Sequence, residues 1–377
     1  MECRFHCNLA RERALTTCLL AVLVTIILML AEGTPNKINF EESLRVHVIN
    51  TGKCVGCGAC VISCPLRSIE FKDGLPTLVK ECTNCGTCAR VCPSYNQPHI
   101  ELDDRAFSEE GKVDHEFGAF CRLSVAQTTD DKVRELSQNG GVVTALLLFA
   151  LRTDLIDAAV VSGVIEEKPF LPNPRLATTS EEILKCAGTR YFYSPNILAL
   201  EDASTQKKTD LAFVGTPCQI RALRKAQKAG LKFFTSVKYL IGLMCSECFV
   251  YEKLMEGHLH EALGLKLNLI RNMNINGKML VTTDSGIHSV PLAEIKRYSR
   301  DACRYCSDFS SELADMSVGG LGMDGWSFVI IRTRRGSELF EGAERTGAIR
   351  TRNVKEEPNA IKLLCRLSKK KKQISVS

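Results

Sequence analysis

Two stretches of the sequence repeat one cysteine spacing: Cys54-Val-Gly-Cys57-Gly-Ala-Cys60-Val-Ile-Ser-Cys64-Pro65 and Cys82-Thr-Asn-Cys85-Gly-Thr-Cys88-Ala-Arg-Val-Cys92-Pro93. Each reads Cys-x2-Cys-x2-Cys-x3-Cys-Pro, in which the first three thiolates hold one iron–sulfur cluster and the fourth crosses to the other cluster. The spacing therefore predicts two [4Fe-4S] clusters, one on Cys54, Cys57, Cys60 and Cys92 and the other on Cys82, Cys85, Cys88 and Cys64.

Glycines within the repeat support cluster ligation. Gly56, Gly58 and Gly86 allow tight turns whose N–H groups point at the cluster sulfurs. A pair of zinc sites is the alternative, but zinc ribbons use two Cys-x-x-Cys pairs per ion and have no use for the Cys-Pro partner. We expect residues 47–97 to form a small bacterial-type 2[4Fe-4S] ferredoxin domain.

The composition is that of a globular chain with about two or three domains. Hydrophobic residues make up 45% of the 377 residues and charged residues 24%, which excludes a disordered chain and a multi-span membrane protein. The net charge of +6 is a mild surplus, and we predict no nucleic-acid partner. The run Lys369 to Lys372 is interpreted as a solvated tail, or alternatively as a docking site for an acidic partner.

Most of the 19 cysteines fall in close groups, which indicates metal or cluster ligation in a reducing compartment, hence a cytoplasmic protein. Residues 1–46 conflict with this prediction, because residues 14–31 form an uncharged apolar run preceded by Arg11 and Arg13. A true translation start at Met29 is the favoured explanation, since the positive-inside rule would otherwise place the cysteines across the membrane. A membrane anchor and a cleaved signal are the alternatives. For the cytoplasmic protein, peripheral attachment to the membrane through a partner complex is a further expectation.

After a polar linker at residues 98–118, the pattern of residues 119–377 predicts an α/β (mixed α+β) domain with some parallel strands. We predict helices at residues 141–152 and 220–229, the second ended by Gly230, and buried strands at residues 158–164, 211–214 and 239–244. Two further strands, at residues 317–318 and 328–332, flank a glycine-rich loop.

Four cysteines of this larger domain form a third candidate site: Cys218, Cys245, Cys303 and Cys306. Cys218 lies between a strand and a helix, where a thiol pKa is lowered, and Cys245 ends the next strand. If the strands are parallel, both lie on the same carboxyl edge of the sheet, where ligand sites gather. We predict a third [4Fe-4S] cluster, with zinc as the alternative metal and Cys248 as an alternative ligand.

Three glycine-containing segments are candidate cofactor contacts. The segment from Ser137 through Gly140 and Gly141 to Thr144 opens an apolar helix whose free N–H groups suit a flavin phosphate, with a plain helix start as the alternative. Thr189, Arg190 and Tyr191 form either a cationic cofactor contact or an ordinary turn.

The third segment, Gly320-Leu-Gly322-Met-Asp-Gly325, spells a dinucleotide fingerprint. It is followed by a β-type run, whereas the fingerprint requires a helix. We therefore predict a loop between two strands that lets a cofactor or the backbone approach closely, with a plain turn as the alternative.

Taken in order, five motifs of the larger domain resemble the family of coenzyme F420 hydrogenase/dehydrogenase beta subunits. They are Gly140-Gly-Val-Val-Thr144, Gly215-Thr-Pro-Cys218-Gln219, Gly242-Leu-Met-Cys245, Cys303-x-x-Cys306-x-Asp308 and Ala314-Asp-Met-Ser-Val-Gly319. With the ferredoxin segment in front, the chain is most similar to the F420H2 dehydrogenase members of this family.

The resemblance implies FAD, a cluster on the four cysteines of the third site, and coenzyme F420 as hydride donor or acceptor. It implies cofactor contacts at Ser137, Gly140, Gly141, Thr144, Thr189, Arg190, Tyr191, Gly215, Thr216, Gly319 and Gly322. At Arg190 the family pattern leads us to expect lysine, so the charge of this contact is kept but its shape changes.

The predicted function is therefore that of an oxidoreductase subunit that moves electrons between reduced coenzyme F420 and iron–sulfur partners. The partners implied are subunits of a hydrogenase, a formate dehydrogenase, a heterodisulfide reductase or a membrane-bound F420H2 dehydrogenase. No side chain is assigned as a general acid or base. The alternatives are a related reductase of sulfite or a chlorophyll precursor, and a relay subunit without flavin.

Overall fold

The computed structural model describes residues 38–96 and 112–374. The apolar run at residues 14–31, Met29 and most of the predicted linker lie outside these residues. Within the described part of the chain, no helix is both long and apolar enough to cross a membrane.

The first described segment, residues 38–96, is a small domain built around the cysteine repeat. A π-helix, Glu41–Ile49, precedes two short helices, α1 (Ala59–Ile62) and α2 (Thr87–Val91), and an antiparallel hairpin of β1 (Ile69–Lys72) and β2 (Leu75–Leu78). Gly56, Gly58 and Gly86 have φ values of 65°, 80° and 66°, as the predicted tight turns require.

The larger domain is a mixed α/β structure, as predicted. Its strands are β3 (Lys112–Asp114), β4 (Gly118–Phe120), β5 (Arg122–Thr128), β6 (Ala158–Ile165), β7 (Lys168–Ala177), β8 (Leu211–Gly215), β9 (Val237–Leu243), β10 (Ile270–Ile275), β11 (Lys278–Thr283), β12 (Gly286–Pro291), β13 (Met316–Gly319), β14 (Ser327–Ile331) and β15 (Ile349–Arg352). Its helices are α3 (Asp131–Leu136), α4 (Val142–Arg152), α5 (Ser180–Lys185), α6 (Leu200–Thr205), α7 (Pro217–Lys228), α8 (Lys232–Thr235), α9 (Leu292–Ile295), α10 (Arg334–Arg345) and α11 (Pro358–Ile374), together with a π-helix, Glu252–Ala262.

Eight strands form the central sheet in the order β15-β5-β14-β13-β9-β8-β6-β7. The pairs β6/β8, β8/β9 and β9/β13 are parallel, and the remaining pairs are antiparallel. The parallel strands are rich in Val, Ile, Leu and Ala and buried on both faces, as expected for strands covered on two sides. Strands β10, β11 and β12 form a separate antiparallel sheet.

Alternate residues of the central strands pack into two separate cores. On one face, Ala159 and Ala212 pack under helices α4 and α10. On the other face, Phe213 belongs to one continuous core with Ile220 of α7 and with Phe40 and Leu44 of the small domain. Burial of this shared apolar surface is the main force that holds the two domains together.

The predicted helices and strands of the larger domain are confirmed within a few residues, but the end of the predicted linker is structured. Residues 112–114 form β3, which pairs with β4, and Phe117 in the turn is 3% exposed. Arg332 is fully buried and donates hydrogen bonds to the carbonyls of Phe117 and Ala119, which fixes this hairpin against β14.

Asp315, in one of the quoted motifs, is a structural anchor. Its carboxylate accepts hydrogen bonds from the Leu240 amide (2.7 Å), the Thr333 hydroxyl (2.8 Å) and the Arg224 guanidinium (3.0 Å). The side chain is 5% exposed and that of Arg224 is 17% exposed, so removal of either charge leaves its partner buried.

We expect Asp315→Ala to lower the free energy of unfolding by about 3 kcal/mol or more, because the Arg224 charge and two donors lose their acceptor. Denaturant unfolding of the anaerobic protein measures this change. Asp284→Ala is the matched control, since it removes the exposed ion pair with Arg271 and should leave the unfolding midpoint nearly unchanged. Equal midpoints for the two variants would contradict the anchoring role.

Candidate functional site

Three cavities are each lined by at least four cysteines. Cavity I is lined by Cys54, Cys57, Cys60 and Cys92. Cavity II is lined by Cys64, Cys82, Cys85 and Cys88. Cavity III is lined by Cys218, Cys245, Cys248, Cys303 and Cys306. These sets are the three predicted from the sequence, with Cys248 in addition.

The crossed pattern of cavities I and II follows from the short helices. Cys60 lies on α1 and Cys64 just beyond the end of this helix, so the two side chains line different cavities. Cys88 and Cys92 have the same relation to α2. In the described part of the chain, no three His, Cys, Asp or Glu side chains meet closely enough for a single metal ion, and each cysteine set surrounds a cavity instead.

Cavity III lies at the carboxyl edge of the central sheet. Strands β8 and β9 are parallel neighbours, so Cys218, at the start of α7, and Cys245, just after β9, emerge side by side as predicted. The turn Asp301–Tyr305 and the residue after it bring Cys303 and Cys306 to the same cavity.

Burial governs the protonation of these cysteines. It raises the pKa of Cys88 to about 12 and the pKa values of Cys92, Cys218, Cys303 and Cys306 to about 11, with neighbouring thiolates adding to the shift. The prediction that the helix start lowers the pKa of Cys218 is therefore wrong, because desolvation outweighs the hydrogen bonds with Thr216 and Tyr193 that act to lower it. Positive iron inside such a cavity would favour the thiolate forms, so the donor sets fit iron–sulfur clusters.

Cys85 differs from the other cysteines of the small domain because it is exposed. Burial acts to raise the pKa of Cys85, but hydrogen bonds from Thr87 and Thr83 outweigh it and lower the pKa below the ordinary value. Cavity II therefore reaches the protein surface at this cysteine.

Val55 lines both cavity I and cavity III. Its carbonyl accepts a hydrogen bond of 2.9 Å from the Arg300 guanidinium, which lies 4.2 Å above the centre of the Tyr193 ring. The Tyr193 hydroxyl is 3.8 Å from the Cys218 sulfur. Neither Arg300 nor Tyr193 lies in a cysteine motif, so the sequence did not indicate this wall between the two cavities.

Electrostatic contacts place cavity I between the other two. Burial raises the pKa of Cys57, and the Cys92, Cys54 and Cys218 thiolates add to the shift, so Cys57 of cavity I lies near Cys218 of cavity III. Burial likewise raises the pKa of Cys60, with the Cys88 thiolate of cavity II among the contributors. The three cavities therefore lie in the order III, I, II along the chain of electrostatic contacts.

The segments predicted to contact a flavin are close together at the carboxyl edge of the sheet. The Gln138 amide donates to the Tyr191 hydroxyl (2.8 Å), and the Gly140 amide donates to the Ser327 hydroxyl (3.1 Å). Side chains could not replace two of the glycines, because a Cβ at Gly140 would lie 2.5 Å from the Ala126 oxygen and one at Gly319 would lie 2.6 Å from the Met244 sulfur.

Helix α4 begins at Val142 after Gly141, whose φ is 66°, and its first residues include Thr144. Gly322, with φ of 76°, lies in the loop between β13 and β14, so the strand predicted after the fingerprint is confirmed. Gly215 ends β8, and Thr216 instead lines cavity III, with its hydroxyl 3.2 Å from the Cys218 sulfur.

Arg190 makes intramolecular contacts that the sequence did not indicate. Its guanidinium donates to the carbonyls of Cys186, Ala187 and Gly188, just beyond helix α5, and Thr189 lies within this turn. These hydrogen bonds hold the turn beside α3, where a Cβ on Gly188 would lie 3.4 Å from the Leu136 carbonyl.

The interpretation of residues 369–372 as a solvated tail is wrong. These residues belong to α11, and Lys371 is 8% exposed. Lys371 lines cavity III, and its ammonium donates to the Ser246 and Cys303 carbonyls, the latter at 2.9 Å. Lys372 pairs with Glu312 and donates to the His115 carbonyl. The sequence of four consecutive lysines does not show that one of them, Lys371, is buried.

The described fold is thus a mixed α/β domain preceded by a small dicluster domain, with three cysteine sets in contact. A family model for a 4Fe-4S dicluster domain matches residues 46–93. Two further models, for the N-terminal and the C-terminal parts of the coenzyme F420 hydrogenase/dehydrogenase beta chain, match residues 123–201 and 208–357. The chain belongs to the family of coenzyme F420 hydrogenase/dehydrogenase beta subunits, as the sequence motifs predicted.

Individual relatives agree with this assignment. The beta subunit of the coenzyme F420 hydrogenase of Methanothermobacter thermautotrophicus is 38% identical over 68% of this chain and 92% of its own length. An F420H2 dehydrogenase subunit of Methanosarcina mazei is 30% identical over 78% of this chain and 83% of its own length. A chain of the F420-reducing [NiFe] hydrogenase complex from Methanosarcina barkeri superposes with a TM-score of 0.67 at 34% identity, covering 70% of this chain and 93% of that chain.

Proposed function

We propose that this protein is the electron-input subunit of a multi-subunit redox complex, in which it oxidises reduced coenzyme F420 and passes the electrons to iron–sulfur partners. Family membership supports the class of reaction. The observation that carries the proposal is the shared wall at Val55, a residue that lines both cavity III and cavity I.

Three [4Fe-4S] clusters are proposed on the twelve predicted cysteines. Cys248 also lines cavity III and is the alternative ligand there. The backbone amide of Cys248 donates to the Cys303 sulfur at 3.4 Å, which suits a residue that supports a ligand rather than replaces it. The exposure of Cys85 supports cavity II as the proposed exit for electrons to a partner.

FAD, when bound, would supply the conversion between a hydride pair and single electrons. The start of α4, with Gly140, Gly141 and Thr144, is proposed to bind its phosphates through free backbone N–H groups. Ser137 and Tyr191 would position this loop, since the Ser137 hydroxyl donates to the Val133 carbonyl and the Tyr191 hydroxyl accepts from the Ile275 amide. Gly319 is close-packed against Met244 and would help to exclude water from the flavin ring, whereas the exposed Gly322 would leave room for the cofactor to approach.

Metal and flavin analysis of the full chain, purified without oxygen, tests the proposal. We expect about twelve iron atoms and one flavin per chain, and bleaching of the flavin band on addition of reduced coenzyme F420. Stoichiometric zinc in place of iron would refute the clusters. Full iron content without flavin would favour the relay subunit over the oxidoreductase.

A further inference from the structure

Helix α11 reaches cavity III from outside the residues that the family models match, which end at residue 357. Its buried Ala360 and Leu364 pack in a core with Phe328 and Ile330 of β14, which fixes the direction of the helix. The last turns therefore bring Lys371 to the cysteines of cavity III as part of the folded structure.

The Lys371 ammonium lines the cavity and lies near one acidic side chain, that of Glu247. Both of its hydrogen bonds go to neutral carbonyls, and one of these belongs to the proposed ligand Cys303. Among the described residues, no salt bridge involves Lys371. Two other charged side chains line the cavity: Glu247, whose carboxylate accepts from the Ser299 hydroxyl at 2.6 Å, and Arg300.

A one-electron reduction adds one negative charge to an iron–sulfur cluster without making or breaking a bond. A buried positive charge beside the cluster stabilises the reduced state more than the oxidised state, and the low dielectric of the site strengthens this effect. The hydrogen bond from Lys371 to the Cys303 carbonyl also fixes the backbone of that proposed ligand.

We propose that Lys371 is a positioning residue of the third cluster, whose charge raises the reduction potential of that cluster above the value set by its cysteines. This inference rests on the proposed function, because it requires a cluster in cavity III. It assigns to the C-terminal helix a role in setting how readily the cluster nearest the flavin accepts an electron.

Redox titration of the full anaerobic chain, followed by electron paramagnetic resonance, tests this assignment. In Lys371→Gln, one of the three reduction waves should move to lower potential by about 59 mV. For a one-electron couple, this shift corresponds to an equilibrium constant for reduction that is about tenfold smaller. Lys371→Arg, which keeps the charge, should hold the wild-type value within a fraction of that shift. Lys369→Gln is the matched control, since it removes an equal charge from an exposed position on the same helix.

Iron content is measured on the same samples. Loss of about four iron atoms in Lys371→Gln, with retention in Lys371→Arg, would also support the role, because the charge would then be needed to hold the cluster. Unchanged potentials and iron content in Lys371→Gln would overturn the inference, as would equal shifts in the Gln and Arg variants. A wild-type protein with only about eight iron atoms would instead overturn the third cluster itself.

Discussion

Replacement of Cys85 by serine should separate hydride entry from electron exit. Loss of a residue that only hydrogen-bonds to a metal ligand lowers metal affinity or activity by about 10–100-fold. Cys85 is itself a proposed ligand, so its loss should lower steady-state transfer to a one-electron acceptor by at least about 100-fold. Cavity II is separated by cavity I from cavity III, which shares the carboxyl edge of the sheet with the flavin segments, and Cys85 is the exposed cysteine of cavity II. Reduced coenzyme F420 should therefore still bleach the flavin in a single anaerobic turnover.

Cys121→Ser is the matched control for this variant. Cys121 is half-buried, lies outside all three cysteine sets and donates to the Arg332 carbonyl, a bond that serine can make. This control should keep both the single turnover and the steady-state rate. If Cys85→Ser loses flavin reduction as well, with its fold intact, the deazaflavin site is built across the two domains.

Local patterns were sufficient to predict five of the eight central strands, though not their order, and the cysteine sets that line the cavities. Strands β6, β8 and β9 are short runs of apolar residues bounded by turn signals. Where predicted helices alternate with such runs, the runs are readily assigned as buried strands. Cysteine spacing carries its own partner information, because the Cys-Pro member must cross to the second cluster. That rule predicted the linings of cavities I and II without knowledge of the fold.

Features that depend on contacts between distant segments were not predictable. Hairpin β3/β4 lies in a stretch that is polar in sequence, and it is ordered because Arg332, more than 200 residues later, binds its carbonyls. Lys371 is indistinguishable from exposed Lys369 and Lys370 in sequence, and only the packing of α11 buries it. Arg190 was predicted as a cationic cofactor contact, and its three carbonyl bonds could not be inferred from the segment alone.

Replacement of Gly141 by valine should remove the flavin and leave the clusters. Gly141 has φ of 66°, and a Cβ there would lie 2.9 Å from both the Ser137 hydroxyl and the Thr128 methyl group. The start of α4 must shift to relieve these contacts, which moves the N–H groups proposed to bind the phosphates. We expect flavin affinity to fall by at least about tenfold, a loss of about 1.4 kcal/mol. Flavin reduction and steady-state transfer should both be lost, with iron content unchanged.

Gly230→Val separates crowding from backbone strain. Gly230 has φ of 68°, almost the same as Gly141, but a Cβ there would meet no atom within 4 Å. Both substitutions therefore impose a similar cost of about 1–2 kcal/mol for a left-handed conformation, whereas only Gly141→Val displaces the helix start. Flavin content near one per chain in Gly230→Val and well below it in Gly141→Val would locate the phosphate contact at α4. Full flavin content in both variants would place that contact elsewhere on the carboxyl edge of the sheet.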